Sequence, residues 1–317
     1  MTYDDLKLND EQILDVLAVA RQEGAMAMIH AENADAIEWL TKRLEAAGRT
    51  APRFHALSRP MLVEREATYR AISLAELVDV PILIVHVSGR EAVEQIRWAR
   101  SHGLRVYAET CPQYLFLTAD DLGLDDSYKG AQCICSPPPR DASNQRVIWD
   151  GLNDGLFSIF SSDHAPFRFE GEEGKKPAGE EVPFRHIPNG IPGIETRLAL
   201  LYSEGVLGGR ITLEKFVELV ATNPAKAYGL HPRKGTIAIG SDADLVIWDE
   251  GERVLRNRDL GHNVDYTPYE GRVLKAWPGI TLVGGEVVWD GRFHARAGQG
   301  RFLVCGKPTL GPSGARP

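Results

Sequence analysis

Three ionisable residues stand where this chain could do chemistry. His30, His86 and Asp163 each follow directly on an apolar run: Ala25 to Ile29, Ile82 to Val85, and Leu156 to Ser162. If those runs are parallel strands, their C-terminal ends are where α/β proteins collect catalytic groups. Two imidazoles and a carboxylate suit a borderline divalent ion such as Zn²⁺, which polarises a carbonyl and lowers the pKa of a bound water to about 7. A single histidine after a strand is more often a hydrogen-bonded core residue, but three ionisable groups at equivalent places shift the balance. His164, beside Asp163, has no such placement and reads as structural. Competing chemistries lack their residues. There is no GxSxG elbow, no phosphate-binding loop, no GxGxxG turn and no HExxH pair, and Cys111, Cys133, Cys135 and Cys305 contain no CxxC spacing. Metal-assisted hydrolysis from separated strands is what remains.

The elements that must hold these residues follow from periodicity. Helical spacing is expected over Asn9 to Gln22, Asn33 to Ala47, Arg59 to Val78, Gly89 to Ser101 and Asn144 to Leu152. Between them lie strands at Ala25 to Ile29, Ile82 to His86, Leu104 to Glu109 and Leu156 to Ser162. Four strand-helix repeats with strands apolar throughout imply a parallel sheet covered on both faces, as a barrel or as a doubly wound sheet. Arg168 to His186 mixes five acidic residues with lysines, glycines and prolines, and reads as an exposed, mobile insertion or a lid over the pocket before it. Two helices follow, the second marked by Leu213, Phe216, Val217 and Val220. After Gly229 the pattern turns to β: Asp244 to Trp248, Arg272 to Ala276, Ile280 to Val283 and Glu286 to Asp290, with Gly284-Gly285 as a hairpin signal.

Composition narrows the partners. The 317 residues hold 36 basic and 44 acidic side chains, a net charge of −8, whereas a nucleic-acid surface needs a basic stripe. A mean hydropathy of −0.23 and the lack of an 18-residue apolar run argue against a membrane partner. Four cysteines in this length suit a reducing cytoplasm, and the polar, acidic stretch from Met1 to Asp15 is unlike a signal peptide.

Five segments, Met28-Ile29-His30-Ala31-Glu32-Asn33, Ile84-Val85-His86-Val87-Ser88, Cys135-Ser136-Pro137-Pro138-Pro139-Arg140, Ser162-Asp163-His164-Ala165-Pro166-Phe167 and Ile187-Pro188-Asn189-Gly190, resemble the dihydropyrimidinase and hydantoinase branch of the amidohydrolases. Asn223 to Leu230 and Lys234 to Asp244 resemble the passage by which that superfamily leaves its barrel for a small β-domain. The resemblance implies that His30 and His86 ligate one zinc, and that Asp163 ligates the second and carries the catalytic proton. It implies that Ser136 and Asn189 hold the amide edge of a cyclic ureide largely through backbone groups, and that the Tyr3 hydroxyl steadies the oxyanion. The reaction implied is hydrolysis of dihydropyrimidines, 5,6-dihydrouracil giving N-carbamoyl-β-alanine, or of hydantoins. Allantoin hydrolysis and a non-catalytic assembly role like that of the collapsin response mediator proteins are the alternatives. Homotetramers are common among such proteins, so self-association is expected.

The family's His-x-His pair and carboxylated lysine have no matching positions among the nine histidines and the lysines of this sequence. The expected architecture is therefore an α/β fold comprising the C-terminal half of a (β/α)8 barrel, strands five to eight, over residues 1–229. Strands of a small β-sandwich domain and a tail follow over 230–317. A complete barrel takes about 250 residues and leaves no free strand edge, so metal binding and turnover by this chain alone are expected to be weak.

Overall fold

The structure is a computed structural model in which residues 6–311 are described. Helix α1, Asp10–Glu23, opens with Asn9 as N-cap in a capping box with Gln12 and stops at Gly24 in the left-handed region. Strand β1, Ala27–Ile29, leads into α2, Ala34–Ala46, and then into the short α3, Phe54–Ser58, and the long α4, Met61–Val78. Strand β2, Ile82–Ile84, is followed by α5, Arg90–Ser101, and β3, Val106–Thr110, by α6, Gln113–Phe116. Helix α7, Ser143–Asn153, precedes β4, Ile159–Phe160. These match the expected repeats, shifted by a residue or two at most helix ends.

The four strands form one parallel sheet in the order β1-β2-β3-β4, with Ala27 opposite Ile82 and Ile82 opposite Val106. Alternation then divides their side chains. Ile82, Ile84, Val106, Ala108 and Phe160 face the main core, built by Ala67, Ala71, Ile72, Val93 and Ile96 of the helices among others. Leu83, Tyr107 and Ile159 face the other way, against Ala227 and against chain 306–310. The latter is pinned by Gly306 N–H to Gly229 O (2.9 Å), Thr309 N–H to Lys226 O (2.9 Å) and Tyr107 Oη–H to Leu310 O (2.7 Å).

After the sheet come α8, Arg197–Leu201, which runs on as a π-helical turn over Tyr202–Val206, and α9, Leu213–Val217, which does the same over Glu218–Thr222 before α10, Asn223–Ala227. A three-stranded antiparallel sheet follows: β5, Leu245–Val254, β6, Val273–Val283, and β7, Glu286–Trp289. Two strands expected between Arg272 and Val283 are thus a single one. Pro278 has no N–H to give the ladder, and the strand continues past it because the register shifts between Ile247 and Trp248. Gly284 and Gly285, both at positive φ, close the hairpin as expected. The small sheet is welded to the main core. Tyr202 stacks on Trp248 at 4.4 Å between centroids, Ser203 Oγ accepts the N–H of Lys275 (2.9 Å), and Leu274 and Ala276 join the same apolar cluster as the helices.

The insertion 168–186 differs most from expectation. Rather than standing free in solvent, it buries Lys175 and Phe184 completely, and Phe184 N–H bonds Thr50 O at 2.8 Å. Its five acidic residues remain outside, which is why composition alone reads it as solvated.

Candidate active site

β1 ends at Ile29 and β2 at Ile84, so His30 and His86 leave neighbouring strands at the same end of the sheet. Their rings meet there, Nδ1 of His30 hydrogen-bonded to Nε2 of His86 at 2.9 Å, with centroids 4.6 Å apart. His86 reaches that position only by adopting φ +41°, a left-handed conformation that non-glycine residues seldom take, and Asp163 beyond β4 does likewise at φ +47°. Such backbone strain persists where surrounding packing imposes it and concentrates at functional sites.

Behind His30 stands a carboxylate. Glu32 Oε2 accepts the Nε2 proton of His30 (2.9 Å) and a proton from Arg59 Nη1 (2.8 Å). A carboxylate on the far nitrogen fixes the ring's orientation and leaves Nδ1 turned to the site. Burial alone would raise the Glu32 carboxyl, but Arg59 and His30 together hold it well below the usual carboxylate range. Burial pushes the His86 imidazole down to about 3, so it is a neutral base at ordinary pH, and its buried Nδ1 has no hydrogen-bond partner. A second buried pair braces the loop after β2. Arg140 donates to Glu64 Oε2 (2.9 Å), to Ser88 Oγ (2.7 Å) and to the Arg59 carbonyl, while Glu64 Oε1 accepts the Ser88 N–H (2.9 Å).

Asp163 is half-buried, and burial raises its carboxyl above the ordinary value, partly offset by the nearby His30. Glu109 of β3 is raised by the same cause and by the proximity of Asp163. Nδ1 of His164 accepts the N–H of Gly193 (3.0 Å). Ser136 and Asn189 come together across 53 residues, the serine hydroxyl donating to Asn189 Oδ1 at 2.8 Å. Gly190 N–H bonds Ile134 O at 3.0 Å, so the two segments run as one edge. Tyr3 lies outside the described residues. All four cysteines are free thiols, three of them buried.

The donor set fits part of a metal centre. His30 Nδ1 and His86 Nε2 converge as two ligands of one ion would, and the neutral state of His86 is the ligating one. Among the described residues, however, no three His, Cys, Asp or Glu side chains come close enough together to hold an ion by themselves. A cleft of about 740 Å³ opens beside this pair, along the β1 end of the sheet, and is lined by His30, Glu32, Ile13, Leu17 and Arg70. It does not reach Asp163, Ser136 or Asn189.

Sequence reasoning missed Glu32, Arg59, Glu64 and Lys175. Glu32 carried a local signal, lying two residues beyond the candidate ligand. The others act on positions tens of residues away and left none.

A family model described as the amidohydrolase family matches residues 1–288. A D-hydantoinase of Ralstonia pickettii is 46% identical over 298 residues, covering 93% of this chain and 64% of that protein. The crystal structure of a dihydropyrimidinase from Brevibacillus agri NCHU1002 superposes with a TM-score of 0.94 at 41% identity, over 98% of this chain and 67% of that one. A D-hydantoinase structure from Bacillus sp. AR9 gives 0.93 at 42% identity, over 98% and 68%. The chain spans a little under two thirds of the length of the curated relatives it matches, 64% for the first.

Proposed function

This chain belongs to the amidohydrolase family, and on that premise we propose that it carries the substrate edge and the proton-handling side of a metal-dependent site that opens cyclic ureide rings, hydantoins and dihydropyrimidines alike. The observation that supports this above all is the meeting of His30 Nδ1 and His86 Nε2 at the ends of adjacent parallel strands, with Asp163 on the same rim. In this reading β1 to β4 are strands five to eight of a (β/α)8 barrel within residues 1–229, and residues 230–317 belong to a small β-sandwich domain and its tail. Association of copies belongs to the same reading.

His30 and His86 would hold one ion and Asp163 a second, and zinc bound there would supply Lewis acidity toward the ring carbonyl. The chain's own residues do the rest. Asp163, raised by burial, is suited to hold a proton: it takes one from the attacking water and returns it to the ring nitrogen as the C–N bond breaks. Water adds its oxygen to the carbonyl carbon, and its proton leaves with the nitrogen, so a linear carbamoyl acid results. The backbone edges at Ser136 and Asn189 hold the ring's amide groups in register with that carboxyl. Tyr3 is assigned the oxyanion by resemblance.

The test is titration of the purified, zinc-dialysed chain with hydantoin and 5,6-dihydrouracil, followed by NMR and by a ring-opening assay. Both rings are expected to bind, and Asp163→Asn to keep binding while losing the ring opening that the wild type shows. Failure of both rings to bind refutes the proposal. Turnover is expected to be faint beside a full-length hydantoinase run in parallel, since the described residues bring together too few ligands; a comparable rate overturns that expectation.

A further inference from the structure

Lys175 is the one lysine among the described residues that has no solvent exposure at all, and it sits in a segment whose composition is that of a solvated loop. Burying an ammonium is costly unless strong acceptors replace water. Here the acceptors are not carboxylates. Nζ donates to the carbonyl of Ile134 at 2.9 Å and to that of Pro188 at 2.6 Å, with the Phe167 ring centroid 5.8 Å away. The backbone on either side is gripped as well: Lys175 N–H bonds Arg168 O (2.7 Å), and the Tyr128 hydroxyl donates to Lys175 O (2.6 Å). Burial pushes the ammonium down to about 7, partly offset by the thiols of Cys135 and Cys133, and His55 is the other titratable group that senses it.

The two acceptors are not arbitrary carbonyls. Ile134 lies two residues before Ser136 and Pro188 one before Asn189, the pair assigned to the amide edge of the ring. Ile134 O accepts from both Lys175 and Gly190 N–H, so the ammonium closes a bridge directly behind the joined edge. We propose that Lys175 is a positioning residue whose ammonium clamps the Ile134 and Pro188 carbonyls together, and so sets the spacing at which the Ser136 and Asn189 backbones receive a cyclic ureide. This rests on the ureide reading above, and it makes the 168–186 insertion the element that delivers a cation beneath the substrate edge.

Lys175→Met keeps the side chain's length and removes its donors. Hydantoin affinity of the full chain, measured by NMR titration, is expected to weaken about tenfold, the scale of one charge-assisted hydrogen bond lost from the alignment. The thermal midpoint should hold or rise, because a buried ammonium has been replaced by an apolar group; a purely structural lysine would lower both together. Lys175→Arg, which retains N–H donors, is expected to recover affinity to within about threefold of wild type. Wild-type affinity in a folded Lys175→Met chain overturns the proposal, as does a loss of affinity in both variants that tracks a fall in midpoint. Should the wild type bind neither ring, it is the ureide reading that fails. The clamp is then judged by amide exchange in peptides covering 130–137 and 187–192: faster exchange in Lys175→Met supports it, and unchanged exchange overturns it.

Discussion

Arg140 and Glu64 offer the most direct energetic test of how the site is braced. Both are almost wholly enclosed, at 7% and 3% exposure, and their link at 2.9 Å ties the segment after the Ser136 loop to α4 and, through Ser88, to the loop that carries His86. Arg140→Met removes the guanidinium and leaves Glu64 buried with only the Ser88 hydroxyl and N–H as partners. Stranding one member of a buried ion pair costs about 3–5 kcal/mol. Glu64→Leu strands the guanidinium instead and orphans the Ser88 N–H, which adds a desolvation cost of about 1–3 kcal/mol to whatever Ser88 Oγ and the Arg59 carbonyl fail to compensate. The double variant removes both charges and keeps the apolar volume. What remains is the unpaired Ser88 N–H and Arg59 carbonyl, so its cost should fall short of the summed singles by at least about 2 kcal/mol. Urea unfolding of the four proteins, followed by far-ultraviolet circular dichroism and tryptophan fluorescence, measures this directly if the slopes agree. Additive costs, or an Arg140→Met penalty under about 1 kcal/mol, would refute the view that these residues act as a coupled buried pair.

Two further outcomes follow from the same structure. His55 is enclosed, bonded through Nε2 to Cys135 O at 2.9 Å, and burial with the nearby Arg59 holds its imidazole down to about 3. The unfolded chain therefore binds a proton there below about pH 6.5 that the folded one refuses, so His55 contributes stability above that pH which is lost on acidification, at up to about 1.4 kcal/mol per pH unit. His55→Gln should flatten the fall in urea stability between pH 6 and 5 by about one proton's worth of slope, and an unaltered slope would count against it. Gly190 lies at φ +136°, and a Cβ there would meet the Ala165 Cβ at 2.2 Å, whereas Gly209 at φ +70° has open space around it. Gly190→Ala should cost more than about 2 kcal/mol and abolish hydantoin binding, against about 1 kcal/mol and no binding change for Gly209→Ala; thermal midpoints and NMR titration decide it.

The parallel sheet was legible because its strands are short apolar runs ending in conspicuous ionisable residues, and because helix-period stretches separate them. His30 and His86 could be singled out from type and place alone, and the structure puts their rings in contact. What stands behind them could not. Arg59 matters through Glu32, 27 residues away, and Arg140 through Glu64, 76 residues away, and an arginine in a sequence looks the same whether it meets solvent or a buried carboxylate. Lys175 is the sharpest case. Every neighbour in sequence says surface, and only the enclosing segments, brought in from Tyr128, Ile134 and Pro188, make it interior. The strand β6 shows the converse failing: Pro278-Gly279 reads as a break, but the register shift there leaves Gly279 unpaired as a bulge within β6, and pairing with β5 resumes on both sides.

The join between the two sheets limits how this molecule can breathe. With Trp248 laid flat on Tyr202, Phe216 edge-on to both, and the serine between them holding two successive amides of β6, the antiparallel layer has no slack about which to rotate. Heat should melt both layers in one step, and admission of a small molecule to the strand ends must come from displacements of a few side chains and turns rather than from any jaw-like swing of one sheet over the other.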